Sequence, residues 1–182
     1  PNFEWGTNPC SEIILRGPKT DKNGNPIAGT GGQFCNLSEV VIRATDSKED
    51  LIRKVRIATI LGTVQSTYTK FPYLRKVWAK NTEEERLLGV SLTGIMDNTL
   101  TNGKDGDLAV LLEDLKQVAV DTNKEWADKL GIEVSAAITC VKPSGTVSQL
   151  TDSASGIHAR HSPYYIRTVR GDNKDPLTQF MK

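Results

Sequence analysis

The chain predicts an α/β fold of parallel β/α units, and three observations carry that prediction. Two segments with helical periodicity start at Ser47 and Asp107, each long enough to cross back over a sheet. Apolar runs at 89–96 and 136–141 lie between and after them, and strands divided by long helices pair in parallel. The 182 residues, 37% hydrophobic and 25% charged, suffice for one domain with a substantial core.

The elements follow in order. Residues 13–15 and 40–43 are short β-leaning runs. Between them, 17–32 is rich in Gly, Pro, Asn and Lys, and Asn23-Gly24 is a hairpin signal. Ser47, with Asp50 three residues later, forms a capping box for a helix. Leu51, Val55, Ala58, Leu61, Val64 and Tyr68 mark its apolar face. A second helix covers part of 73–88, signalled by Thr82-Glu83-Glu84-Glu85-Arg86. Residues 89–96 read as a buried strand through Val90, Leu92 and Ile95.

Asp107 caps a long helix that Gly131 ends, with Leu108, Leu111, Leu112, Leu115, Val118, Ala119 and Trp126 facing inward. Residues 136–141 and 164–170 read as two further strands, the last one alternating. No internal repeat or low-complexity segment interrupts the chain.

A net charge of +1 gives no electrostatic basis for nucleic-acid or membrane binding. Arg160, His161, Arg167 and Arg170 gather locally and read as a solvated face. No run is apolar enough to span a bilayer, and no signal-peptide pattern opens the chain. Three cysteines without framework spacing point to a reducing cytoplasm. Zinc pairs of cysteines are absent, so no metal site is expected.

The chemistry concentrates at Asn8-Pro9-Cys10-Ser11-Glu12. If extended, this segment projects Asn8, Cys10 and Glu12 to one side, with Pro9 stiffening the backbone. An amide, a thiol and a potential base so placed suit a polyhydroxylated substrate. A second cysteine follows in Phe34-Cys35-Asn36-Leu37.

NPCSEI followed by FCNLSEV resembles the active-site region of ribonucleotide reductase large subunits, and within them the monomeric adenosylcobalamin-dependent (class II) enzymes. ERLLGVSLTG at 85–94, VKPSGTVS at 141–148 and PYYIR at 163–167 resemble the same family. Four ordered motifs are more specific than any one of them. The resemblance implies part of a ten-stranded α/β barrel. It makes 1–182 a partial catalytic barrel segment of a longer reductase, inactive alone, with an inserted hairpin at about 17–32.

The implied activity is reduction of ribonucleoside di- or triphosphates to 2′-deoxyribonucleotides, for DNA precursor synthesis. Adenosylcobalamin is the implied radical source, with its contacts largely elsewhere in the reductase. An external dithiol, such as a thioredoxin-like reductant, restores the enzyme. Cys10 matches the transient thiyl, Glu12 the base for the 3′-hydroxyl and Asn8 the amide that holds the ribose hydroxyls. Cys35 matches one member of the redox pair, whose partner in the family lies upstream. Ser144, Gly145, Thr146, Val147 and Ser148 match the loop that binds substrate phosphates, and Gly145 with three nearby hydroxyls suits that task.

Other residues read more plainly. Cys140 sits in an apolar run as a packed, inert thiol. His158 and His161 are ordinary loop histidines. Tyr164 and Tyr165 are strand residues, one face packed and the other near the site, while Trp5, Trp78 and Trp126 pack. Three alternatives stay open: a reductase whose radical comes from a separate metal subunit, an inert phosphate-binding or assembly piece completed by another polypeptide, and a cysteine hydrolase using His158.

Overall fold

Two short sheets and two long helices organise the computed structural model, which describes residues 3–182. The opening at Pro1, close to the reactive motif in sequence, lies outside the described residues. In the first sheet, β1 (Phe3–Thr7), β2 (Ile14–Thr20) and β3 (Pro26–Ile27) run antiparallel. Asp21 closes the β2–β3 turn, its Oδ1 accepting from the N–H groups of Asn23 and Asn25 at 2.8 Å each. Gly24 takes the left-handed conformation at φ 85° that such a turn needs.

In the second sheet, β4 (Asn36–Val41) and β5 (Leu88–Thr93) pair in parallel, Asn36 opposite Leu88 through Val41 opposite Thr93. The crossover between them carries α1 (Lys48–Gln65) and α2 (Lys76–Glu85). Ser47 and Asp50 make the full capping box at the start of α1. After β5 and a short turn of 3₁₀-helix comes α3 (Leu108–Leu130), capped by Asp107 and ended by Gly131 in the left-handed conformation. Strands in parallel with helical crossovers establish the α/β class.

The core lies between this sheet and the helices. Val40, Ile42, Leu88, Val90 and Ile138 meet Leu51, Val55 and Ala58 of α1 and Leu111, Leu115 and Ala119 of α3. The opposite face of the sheet is different in character. Leu37, Glu39 and Val41 stand there beside Gly89, Ser91 and Thr93, because paired residues share a face.

Several expectations need correction. Leu61 and Tyr68 are exposed, and the buried face of α1 continues instead through Thr59, Gly62 and Thr63. Small residues there let α1 approach the sheet, where Gly62 meets Leu88. Leu112 is exposed on α3, Trp126 is only part-buried, and Trp5 is exposed on its edge sheet. The run 136–141 is not a full strand; it forms one parallel bridge, Thr139 to Val90.

Residues 164–170 form no strand at all. Tyr164, Ile166 and Val169 are exposed, and alternation cannot hold a strand without a neighbour to take its backbone hydrogen bonds. The same exposure removes the packed face assigned to Tyr164 and Tyr165. Two short helices complete the chain, α4 (Thr146–Leu150) and α5 (Pro176–Phe180). No helix among the described residues is long and apolar enough to cross a membrane.

Candidate active site

Between β1 and β2 the chain turns sharply at residues 8–11. The Ser11 N–H donates to the Asn8 carbonyl at 2.9 Å, and Ser11 adopts a left-handed φ of 62°. Asn8 locks the turn from its side chain, Oδ1 accepting from the Ile13 N–H at 3.1 Å. The segment is therefore not extended, and Asn8, Cys10 and Glu12 do not line one side as alternate strand residues would. Pro9 and the Asn8 side chain favour the turn, which a strand reading overlooks.

The turn separates the thiol from the carboxylate by burial. Cys10 is exposed at its tip. Glu12 points inward, its side chain only 1% exposed, with the Lys142 Nζ 3.4 Å from Oε1. Burial raises the Glu12 pKa, but its own N–H, the neighbouring Asn8 amide and the Lys142 charge outweigh that and hold it below the usual carboxylate value. Neither carboxylate oxygen makes a hydrogen bond of good geometry, so the ion pair is the contact that geometry supports best.

Two thiols sense this carboxylate. Cys35, half-buried just before β4, has its pKa raised by burial and then by the Glu12 charge. Cys140 is pushed up to about 11 by the same two causes, burial first. Its sulfur lies over Gly89, where an added Cβ would come within 3.1 Å of it and 3.2 Å of the Ile13 Cδ1. Glycine at 89 thus leaves room for Ile13, just before β2, and Cys140, just after Thr139, over the sheet. The structure groups Asn8, Glu12, Cys35, Cys140 and Lys142.

The antiparallel sheet that carries the turn is fixed to α2. Arg16 is paired with Glu84 and, at 2.6 Å, with Glu85. Gln33 joins the same cluster: its Oε1 accepts from the Arg16 N–H at 2.9 Å and its Nε2 donates to Glu85 at 2.6 Å. The sequence suggested Glu83 and Glu84 only as a helix signal, and Glu85 as that and the first residue of a family-like motif. Their role in seating a sheet some 70 positions away had no local signature.

The 143–148 loop follows Lys142 into α4. The Ser144 Oγ accepts from the Ser148 N–H at 3.2 Å, and the Ser148 Oγ donates to the Gly145 carbonyl at 3.1 Å. Both hydroxyls therefore serve the loop itself. The N–H groups of Gly145, Thr146 and Val147 make no hydrogen bond among the described residues and remain as donors. The 153–156 segment braces the loop against β5, the Gly156 N–H donating to Thr93 Oγ1 at 2.8 Å.

Arg160 is not simply solvated. It forms a two-pronged pair with Asp97 at 3.0 and 3.1 Å and a second pair with Asp152 at 2.7 Å, anchoring this bracing segment. His158 and His161 are exposed.

No family model matches the chain. Curated relatives do. An adenosylcobalamin-dependent ribonucleoside-triphosphate reductase of Lactobacillus gasseri is 31% identical over 202 residues, covering 97% of this chain and 25% of the relative. The proteins of the same name from Lacticaseibacillus paracasei and Lactobacillus leichmannii are 30% and 27% identical, with the same coverage. The chain is a relative of these ribonucleotide reductases. It spans about a quarter of their length.

The crystal structure of a B-12-dependent (class II) ribonucleotide reductase agrees in fold. It superimposes with a TM-score of 0.65 at 24% identity, over 86% of this chain and 23% of that one. The α/β segment seen here thus has the fold of part of a class II reductase, as its motifs implied.

Proposed function

We propose that this chain is the thiol-bearing catalytic segment of an adenosylcobalamin-dependent ribonucleotide reductase acting on ribonucleoside triphosphates. The observation that supports the reading is the turn at 8–11, which exposes the Cys10 thiol at its tip and sends Glu12, two residues later, inward to Lys142 near the Cys35 and Cys140 thiols. Adenosylcobalamin, when bound, supplies the one-electron oxidation of a thiol. An exposed Cys10 fits access from outside this chain.

The residues then divide the work. Cys10, as a thiyl, takes the 3′ hydrogen: an S–H bond forms, the C3′–H bond breaks and a carbon radical remains. Glu12 accepts the 3′-hydroxyl proton, as its lowered pKa allows, and Asn8 orients the ribose hydroxyls. The 2′-hydroxyl takes a proton from the thiol pair of Cys35 and a second cysteine and leaves as water. That pair also delivers the hydrogen that forms the new C2′–H bond and, having given two electrons and two protons in all, becomes a disulfide; Glu12 returns its proton to the 3′ oxygen and Cys10 its hydrogen to C3′.

An external dithiol, of thioredoxin type, reduces that disulfide, which fits a reducing cytoplasm and three free cysteines. The free N–H groups at Gly145, Thr146 and Val147, with Ser144 and Ser148 holding the loop shape, are the proposed phosphate contacts. The hairpin at about 17–32 is read as an insertion into that segment.

The test uses the full-length protein. With adenosylcobalamin and a dithiol it is expected to convert a ribonucleoside triphosphate to the 2′-deoxy product and to need no second subunit. Turnover only after a separate metal-containing subunit is added would replace this reading with the other radical source.

A further inference from the structure

We propose that Lys142 is the positioning counter-ion of Glu12, tying the thiol-bearing turn to the loop at 143–148. This rests on the reading of Glu12 as the base. The geometry is specific. A carboxylate only 1% exposed, with no hydrogen-bond partner for either oxygen, faces an ammonium 3.4 Å away that belongs to a residue 130 positions later in the chain.

The other titratable groups facing Glu12 are the Cys35 and Cys140 thiols. Both are raised in pKa and so uncharged near neutrality, and neither can replace the cation. Asn8, on the same turn, offers only an amide.

Lys142 is also well held. It precedes Pro143, which restricts it to extended conformations. Its carbonyl packs on Gly156, where an added Cβ would approach to 3.2 Å. A lysine whose backbone is so fixed brings its ammonium from the loop side to the turn at 8–11.

The consequence has a definite sign. A buried carboxylate that loses its only nearby cation among the described residues takes up a proton more readily, so its pKa rises. A base works only when ionised, so activity at the acidic end should fail first.

Lys142→Met and Lys142→Arg in the full-length protein test this. In the methionine variant the acidic limb of kcat/KM against pH should move up by about one pH unit, near the low end for a lost opposite charge, and arginine should restore it. A raised KM with an unmoved acidic limb would overturn the proposal, because Lys142 would then serve the substrate rather than Glu12.

A second measurement does not need turnover. The infrared carboxylate band of Glu12, identified by its loss in Glu12→Gln, should titrate at higher pH in the methionine variant. An unchanged midpoint would also overturn the proposal. If Lys142→Met does not fold, Lys142→Gln carries the same infrared test. Wild-type protein that reduces no ribonucleotide would remove the proposed function, while the infrared result would still decide the ion pair.

Discussion

At the scale of single residues, three cysteines meet three different surroundings. Cys10 is exposed on a turn, whereas Cys35 and Cys140 are half-buried next to the Glu12 charge. Thiolates are the reactive form, so accessibility and pKa act together on alkylation. In a time course with iodoacetamide at pH 8, Cys10 should be modified first and Cys140, with its pKa near 11, last. Modification of Cys140 ahead of Cys10 would show that the burial assigned here is wrong. The motifs singled out Cys10, Glu12, Asn8 and Cys35 as candidates, but they could not show Lys142 as a partner of Glu12. That contact joins residues 12 and 142, and no spacing rule spans such a distance.

At the scale of elements, the helix caps were legible because they are local, whereas apolar periodicity found the helices but misassigned part of their buried faces, as at Leu61, Tyr68 and Leu112. The Ser47–Asp50 box, the Asp107 cap and the Gly131 stop all stand where the residues put them. What was not legible depends on neighbours. Residues 136–141 and 164–170 have strand-like composition, yet pairing decides whether a strand forms, and only Thr139 has a bridge.

Polar residues buried between elements were equally invisible to periodicity. Asn123 of α3 is fully buried and donates to Thr63 of α1 and to Ser135, each at 3.0 Å, while accepting from the Ser135 N–H. Asn123→Ala should cost about 2–3 kcal/mol, since it strands a buried N–H. Asp121→Ala, on the exposed face, should cost less than about 0.5 kcal/mol. Urea unfolding of both variants checks the contrast, and equal midpoints would contradict it.

At the scale of the whole molecule, the site is where separate pieces converge on one face of a parallel sheet. The antiparallel sheet is seated on α2 through Arg16 and Glu85, and it delivers the turn with Cys10 and Glu12. The residues after Thr139 bring Cys140, Lys142 and the 143–148 loop, which Gly156 and Thr93 brace.

The α/β class could be read from alternating elements, but this convergence could not, because it is set by long-range pairing rather than by any local pattern. The most direct test is Cys10→Ser in the full-length protein, with turnover and nucleotide binding measured together. Turnover should vanish while binding stays within a few-fold of wild type. Persisting turnover would contradict the account, because the sulfur it places at the centre of the reaction would then be dispensable.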